Sequence, residues 1–324
     1  MLGVAISIVL LAWAVRGVSL QDIWRQVRAA HPAPLALAVV LATLTFPLRL
    51  IRWRLLLPDY DGRPYPAGAL WHAIALGFMA NNILPLRAGE IVRAYTASRL
   101  AQIRFSTVLS SIAVERIFDG LTVVALLSAA LLYADLPPGL TIGGASVARL
   151  TKIGGLAGCT ALLAGLLVLA APVQAERLVR RLFPRAHVAD RMVSLLEGIR
   201  QGLLVLGSPG RLMGVVFWSF VLWNVNALAL FIAFGAFDIA VSYWGALLMQ
   251  GLLVLGVSIP STPGFFGPFE AVIVAALALY RVPNDLAFSY AISYHLTSFV
   301  PITLLGLWSL IRTPGGLHPR TEEP

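Results

Sequence analysis

Apolar residues in this chain fall in long continuous runs. Uninterrupted stretches cover about residues 1–15, 33–51, 106–133, 147–171, 211–234 and 286–311, and each reads as a membrane-crossing helix. Two further apolar regions, 66–104 and 243–280, are each broken in the middle by helix-interrupting residues. The first break is Asn81-Asn82-Ile83-Leu84-Pro85, and the second is Pro260-Ser261-Thr262-Pro263-Gly264. Each half is too short to span. Broken helices at membrane depth are tolerated where protein or a water-filled cavity satisfies the freed backbone groups, an arrangement common in transporter binding sites. Kinks in two ordinary spans are the alternative; re-entrant hairpins are preferred because both breaks carry or adjoin charge. The expected fold class is an all-α polytopic membrane protein, residues 1–324 forming a single transmembrane domain of about six full spans plus two re-entrant helical hairpins.

Composition agrees with this pattern. Of the 324 residues, 59% are hydrophobic and only 12% charged, with a mean hydropathy of +0.84, whereas soluble domains carry about 25% charged residues. No stretch is polar enough for a separate globular domain. The lone Cys159 excludes a disulfide framework and a cysteine-cluster metal site. Residues 1–15 look like a signal-peptide core, and Ala12-Trp13-Ala14 mimics a cleavage site, but no Lys or Arg precedes the run. A retained first helix is therefore expected.

Charge sets the expected orientation. The net charge is +9, and every basic residue except Lys152 is an arginine. No aromatic-interleaved basic run on a soluble fold accompanies it, so anionic lipid headgroups rather than nucleic acid are the expected partners. The segment 174–211 holds seven arginines and the loops 134–146 and 235–242 hold none. By the positive-inside rule the first faces the cytoplasm, as an amphipathic segment over 174–210, and the others face outward. Both termini are then cytoplasmic, in a bacterial or archaeal inner membrane. On this scheme span, hairpin and span recur as half-repeats over 33–133 and 211–311, joined by the span 147–171 and the amphipathic segment. The hairpins would enter from opposite sides, in the inverted-repeat manner of secondary transporters, although no clear sequence repeat is visible.

Candidate chemistry lies at the breaks. After Asn81 and Asn82, Arg87, Glu90 and Arg93 recur every three residues and share one helix face. The asparagines and the free N–H groups of a new helix start add donors for an anionic headgroup; solvated arginines in a cytoplasmic loop are the plainer alternative. Within the 106–133 span, Glu115-Arg116-Ile117-Phe118-Asp119 places two acids four residues apart, about 13 Å or more along the helix. At that depth they mark a pathway or a structural ion pair, and Arg93 or Arg87 is the expected partner. Beyond Thr262 in the second break, Glu270 is the only charge between Asp238 and Arg281, so it is expected to be protonated, paired or functional. His295 beside Tyr294 suits a hydrogen-bonded structural role better than a proton relay. Arg49-Leu50-Ile51-Arg52-Trp53-Arg54 reads as an interfacial anchor, its arginines snorkelling to headgroups. No nucleotide-binding, zinc-hydrolase or nucleophile-elbow motif occurs, and the five histidines do not cluster. No cofactor or metal is expected.

The runs Asn82 to Arg93 (NILPLRAGEIVR), Val114 to Asp119 (VERIFD) and Pro260 to Glu270 (PSTPGFFGPFE) resemble the lysylphosphatidylglycerol synthase transmembrane-region family of flippase-like membrane proteins. The resemblance implies an integral inner-membrane protein linked to moving lipids. Its best-known members are the membrane halves of aminoacyl-phosphatidylglycerol synthase/flippases, and some relatives are tied to hopanoid or polyisoprenoid-linked pathways. This chain ends at Pro324 without a soluble aminoacyl-transferase domain, so lipid aminoacylation is not expected. The leading expectation is a lipid translocase without enzymatic activity, in which Arg87 and Arg93 bind an anionic or polyisoprenoid-type lipid while Glu90, Glu115, Asp119 and Glu270 balance charge or take up protons. Its rivals are a membrane enzyme acting on a lipid-linked substrate and a non-transporting subunit that docks lipid-biosynthesis enzymes at the cytoplasmic face.

Overall fold

The computed structural model describes residues 2–57, 64–84, 88–137, 139–142, 145–170, 174, 176, 177, 180, 181, 208–258 and 262–313. The described chain is helical apart from a two-residue β-ribbon, Thr141–Ile142 against Ala145–Ser146. The helices are α1 (Leu2–Ala14), α2 (Leu20–Ala29), α3 (Pro32–Leu56), α4 (Ala67–Ile83), α5 (Gly89–Leu100), α6 (Phe105–Tyr133), α7 (Val147–Ala170), α8 (Pro209–Phe234), α9 (Tyr243–Gly256), α10 (Pro268–Ala278) and α11 (Asn284–Arg312). Among the described residues, α3, α6, α8 and α11 are long and apolar enough to cross a membrane. The expected first span is the shorter α1, whose 13 residues reach only about 20 Å at 1.5 Å each against a hydrocarbon core of about 30 Å. α7, with 24 residues, packs on the outside of α6.

The outer surface is apolar, with Val9, Met213, Phe217, Leu304 and Ile311 each more than half exposed. The interior instead holds charge: Arg49, Arg52, Arg93, Glu115, Asp119 and Glu270 are all buried. A helix apolar all round has no amphipathic stripe to orient it, so polar contacts and small residues set the packing.

Both broken regions fold back on themselves. A Cβ on Gly77 of α4 would lie 2.7 Å from the Arg93 Cβ and 2.8 Å from the Gly89 carbonyl of α5, while the Gly89 N–H donates to Asn81 Oδ1 at 2.9 Å. Position 77 thus faces 93, and 81 faces 89, an antiparallel pairing closed by the Asn81 side chain. In the second region Gly256 of α9 abuts Val272 of α10, and Gly245 lies against Tyr280. The second turn runs through a 3₁₀ turn, Pro263–Phe265. Gly267 has φ +98°, and a Cβ there would meet the Ser7 backbone of α1, so only glycine fits.

The long helix α11 is the ruler for both hairpins. Its C-terminal half receives α4: the His72 ring packs on Trp308, Gly306 meets Met79 and the Ala75 carbonyl, and Asn82 Nδ2 donates to the Phe299 carbonyl and Thr303 Oγ1. Its N-terminal half receives α10, where Phe269 stacks on His295 at 4.1 Å and Phe231, Phe234 and Tyr290 continue an aromatic core. The end of α4 and the second turn meet between them, since a Cβ on Gly264 would lie 3.3 Å from the Asn82 carbonyl and 2.8 Å from the Phe299 ring. The hairpins therefore lie end to end along α11, tip to tip. At one end of the bundle His31 N–H donates to the Ala236 carbonyl, Gln26 bonds Asp285, and Tyr133 packs on Trp244. The loops expected on one side of the membrane thus share one end of the molecule.

Gly89→Ala should lose about 2 kcal/mol or more of stability, because its Cβ would press on the Gly77 backbone carbonyl, which cannot turn aside, and on the Asn81 amide that closes the seam. Gly68→Ala, with open space around it, should be neutral or slightly stabilising. Thermal melts of the purified variants check the pair, and equal behaviour would count against the close hairpin seam.

Candidate functional site

The buried charges form one cluster. Glu115 and Asp119 stand one turn apart on α6, so both aim at the same neighbours. Arg93 from α5 grips Glu115 with both arms of its fork, Nη1 to Oε1 at 3.0 Å and Nη2 to Oε2 at 2.8 Å. Its guanidinium plane lies 3.8 Å over the Trp53 ring, whose Nε1 donates to Ser111 Oγ at 3.0 Å. Arg52 from α3 sends Nη1 to Asp119 Oδ1 at 2.5 Å and to Ser219 Oγ of α8 at 3.1 Å, while its Nη2 lies 3.1 Å from Glu115 Oε1 as an ion pair. Trp223 of α8 adds a 2.9 Å bond from Nε1 to Asp119 Oδ1. Arg116, about 40% exposed, reaches Glu115 at 2.6 Å, Asp119 at 3.0 Å and Glu90 at 3.7 Å.

The expected partner Arg93 is there, and Arg52 joins it from a segment read otherwise. The sequence places Arg49, Arg52 and Trp53 in an interfacial anchor, whereas all three are buried, Arg52 and Trp53 completely. The physical reason is that α3 does not stop at residue 51. It continues unbroken to Leu56, carrying the arginines past the apolar run onto the inward face, where two carboxylates repay their desolvation. The available signal was the lack of any Pro or Gly between Pro47 and Pro58. Trp223 and Ser219, one turn apart in a span whose one charge is Arg211 at its start, carried no such signal.

The remaining candidates divide into structural and central positions. Asn81 is spent on the hairpin seam and Asn82 on α11. Thr262 fixes the second turn, its N–H donating to Ser7 Oγ and its Oγ1 to the Phe266 carbonyl, both at 2.9 Å. Glu270 is fully buried at the start of α10, where Oε2 accepts the Gly267 N–H at 2.7 Å and Oε1 faces His295 Nδ1 at 2.6 Å. Its partner in three dimensions is thus a histidine 25 residues away. Arg87, the prolines at 85 and 260, most of the 174–210 segment and Arg320 lie outside the described residues; of that segment, Glu176 and Arg180 pair at 3.0 Å.

A cavity of about 260 Å³ opens where the hairpin tips meet, between α3, α8 and α11. Its wall is aromatic and aliphatic, including Phe46, Phe78, Phe265, Phe269 and Phe299. Arg49, Gln250, Tyr294 and His295 bring polar groups to it, and Trp223 links its lining to Asp119 behind. Apolar walls with a few convergent polar groups are the usual make-up of a small-molecule site. Among the described residues no group of histidines, cysteines and acids could hold a metal ion.

Apolar helices long enough to cross a bilayer, wrapped around a charged interior, define an integral membrane protein whose polar chemistry lies in the bundle core. The chain belongs to the lysylphosphatidylglycerol synthase TM region family, whose model matches residues 1–306. The glycosyltransferase AglD of Haloferax volcanii is 28% identical over 325 residues, covering 91% of this chain; the chain spans about half of that relative, 51% of its length. A UPF0104 membrane protein of Methanothermobacter thermautotrophicus is 26% identical over 320 residues, covering 93% of this chain and 90% of that one. A UPF0104 membrane protein of Pyrococcus horikoshii is 23% identical, covering 94% and 93%.

Arg52→Met should cost about 3 to 5 kcal/mol, because it strands Glu115 and Asp119 with one buried cation fewer, whereas Arg54→Met at an exposed position of the same helix should stay within about 0.5 kcal/mol. Thermal unfolding in detergent checks it. Equal loss, or none in either, would show that the cluster does not hold α3 to α6.

Proposed function

We propose that this protein is a lipid translocase of the inner (cytoplasmic) membrane, moving an anionic or polyisoprenoid-type lipid between leaflets without changing it chemically. The observation that carries the reading is the cavity between two opposed hairpin tips. α11 has 29 residues, about 43 Å of helix. Hairpins that each cover one half of such a helix and meet in its middle would enter the membrane from opposite faces, as the halves of an inverted repeat do. Residues 33–133 and 211–311 would then be the repeats, with α7 as a further span between them. A site at their junction lies at the midplane, where small movements of either hairpin open it to one side or the other. The arginine-rich 174–210 segment would sit on the cytoplasmic face, where it suits anionic lipid or a lipid-biosynthesis enzyme.

The glycosyltransferase relative supports a second reading, an enzyme acting on a lipid-linked substrate. Against it, Glu115 and Asp119 are fully engaged by arginines, which suits a structural counter-ion better than a general acid or base. One experiment separates them. Purified protein is reconstituted in phosphatidylethanolamine and phosphatidylglycerol vesicles holding a trace of fluorescent phosphatidylglycerol and, separately, a fluorescent polyisoprenyl phosphate. A membrane-impermeant quencher should reach inner-leaflet probe only where the protein is present, with the probe recovered unmodified. No movement of either probe removes the translocase reading, and a modified product favours the enzyme.

Sidedness is tested with single cysteines after Cys159→Ser. Ala145→Cys should react with an impermeant maleimide on intact cells and Arg104→Cys only after lysis, following the arginine distribution; the reverse pattern would invert the orientation. In the vesicle assay, Glu270→Gln should keep the cap on α10, because the amide carbonyl still accepts the Gly267 N–H, and fold normally. It should alter the pH dependence of lipid movement if the Glu270–His295 pair takes part in proton coupling. Unchanged movement at every pH removes that coupling while leaving the cavity reading intact.

A further inference from the structure

Beside the charged cluster on α6, one buried arginine has no ion-pair partner among the described residues. Arg52, Arg93 and Arg116 face Glu115, Asp119 and Glu90, three against three. Arg49, one turn before Arg52 on α3, is outside this account. It is buried, with only 9% of its surface exposed, yet no carboxylate lies within ion-pair distance and it makes no hydrogen bond among the described residues. Its one contact of note is with the face of the Phe78 ring, 4.5 Å from the centroid. Stacking engages the flat face of a guanidinium and leaves its five in-plane N–H donors unfilled. Arg93 shows the contrast: it too lies over an aromatic face, but both of its Nη groups are taken by Glu115.

Arg49 lines the central cavity. An arginine does not shed its proton to escape such a site, so a buried, unpaired guanidinium persists only where water or an anionic ligand completes it. Gln250, on the same wall, also makes no hydrogen bond among the described residues, and the Nδ1 of His295 is turned to Glu270, leaving Nε2 for the cavity. No carboxylate is among the lining residues, and the nearest one on that wall, Glu270, stands behind His295 and is engaged by it.

We propose that Arg49 is the anchoring cation for a phosphate group in this cavity, with Gln250 as a neighbouring donor, and that the Arg93 cluster behind it is a self-neutralised scaffold. The ligand class is a phosphate ester or phosphate anion, because the planar fork of arginine matches two phosphate oxygens at once. At about 260 Å³, the space of some eight or nine liquid waters, the cavity accommodates a phosphate headgroup but not acyl or prenyl chains. The lipid tails therefore stay outside the bundle. This rests on the translocase reading only for the source of the phosphate.

The test is equilibrium binding to the purified full chain in a maltoside detergent, which carries no phosphate. The probes are dihexanoyl-phosphatidylglycerol, inorganic phosphate and phosphate-free dihexanoylglycerol. Wild type should bind the first and not the third, and Arg49→Gln should weaken that binding by about 10- to 100-fold. Arg49→Lys, which keeps the charge and loses the fork, should fall between. Arg49→Gln should melt no lower than wild type, since it removes an unpaired buried charge rather than breaking a pair; that separates a binding role from a structural one. Binding of inorganic phosphate alone keeps the anion site and assigns it to the free ion. The proposal is overturned if Arg49→Gln binds like wild type, if the phosphate-free probe binds equally well, or if wild type binds none of the three. The vesicle assay keeps the two readings apart. Binding that depends on Arg49 without lipid movement leaves the site and removes the translocase, whereas movement unchanged in Arg49→Gln does the opposite.

Discussion

Two carboxylates on one apolar helix constrain most of this molecule. Glu115 and Asp119 sit inside α6 where water does not reach, and an unpaired carboxylate there costs several kcal/mol. Cations must come to them, and the chain supplies three from different places: Arg52 from α3, Arg93 from α5 and Arg116 from α6 itself. Because a guanidinium fork works only in a narrow geometry, satisfying the acids fixes where α3 and α5 lie against α6. Ser219 and Trp223 tie α8 to the same point. One charge account thus holds four helices.

That arrangement compensates for a weakness of apolar bundles. In lipid, one apolar face is as good as another, so burial alone specifies no register between helices. Here the register comes from polar contacts and from small residues that let backbones approach. Gly77 and Gly89 bring the arms of the first hairpin together, and Gly245 and Gly256 do the same in the second. The seams are local, whereas the charge cluster is long-range, joining residues separated by 67 and 167 positions.

The cavity follows from the same construction. Two back-folded hairpins laid end to end along α11 leave a gap where they meet, lined by Phe265 of the second turn and by Phe46, Phe78, Phe269 and Phe299 of the surrounding helices. The charged cluster stands behind one wall and the Glu270–His295 pair behind another. Polar groups at this depth are costly, and a scaffold that already neutralises most of them can leave a single cation free to meet a ligand. Separating the supporting charges from the working charge is the physical basis of the functional reading.

The class of the protein is legible in its apolar runs, because the hydrocarbon thickness and the backbone's need for internal hydrogen bonds leave few ways to read runs of these lengths. Where the long helices break is legible too, since Pro and Gly act locally. Glu115 and Asp119 could be placed on one face from their spacing alone, and their need for a cation, Arg93 or Arg87, followed from burial. The remaining contacts come from packing. Whether the arms of a broken helix fold back depends on the Gly77–Gly89 seam, which pairs residues across the break. Whether Arg49 and Arg52 reach for headgroups or the core depends on how far α3 continues and on what stands opposite it. A histidine 25 residues from Glu270 becomes its partner through the packing of α10 on α11, which hydropathy does not encode. Side-chain pairing across helices is set by register, and where every helix is apolar on all faces, register is written in contacts rather than in pattern.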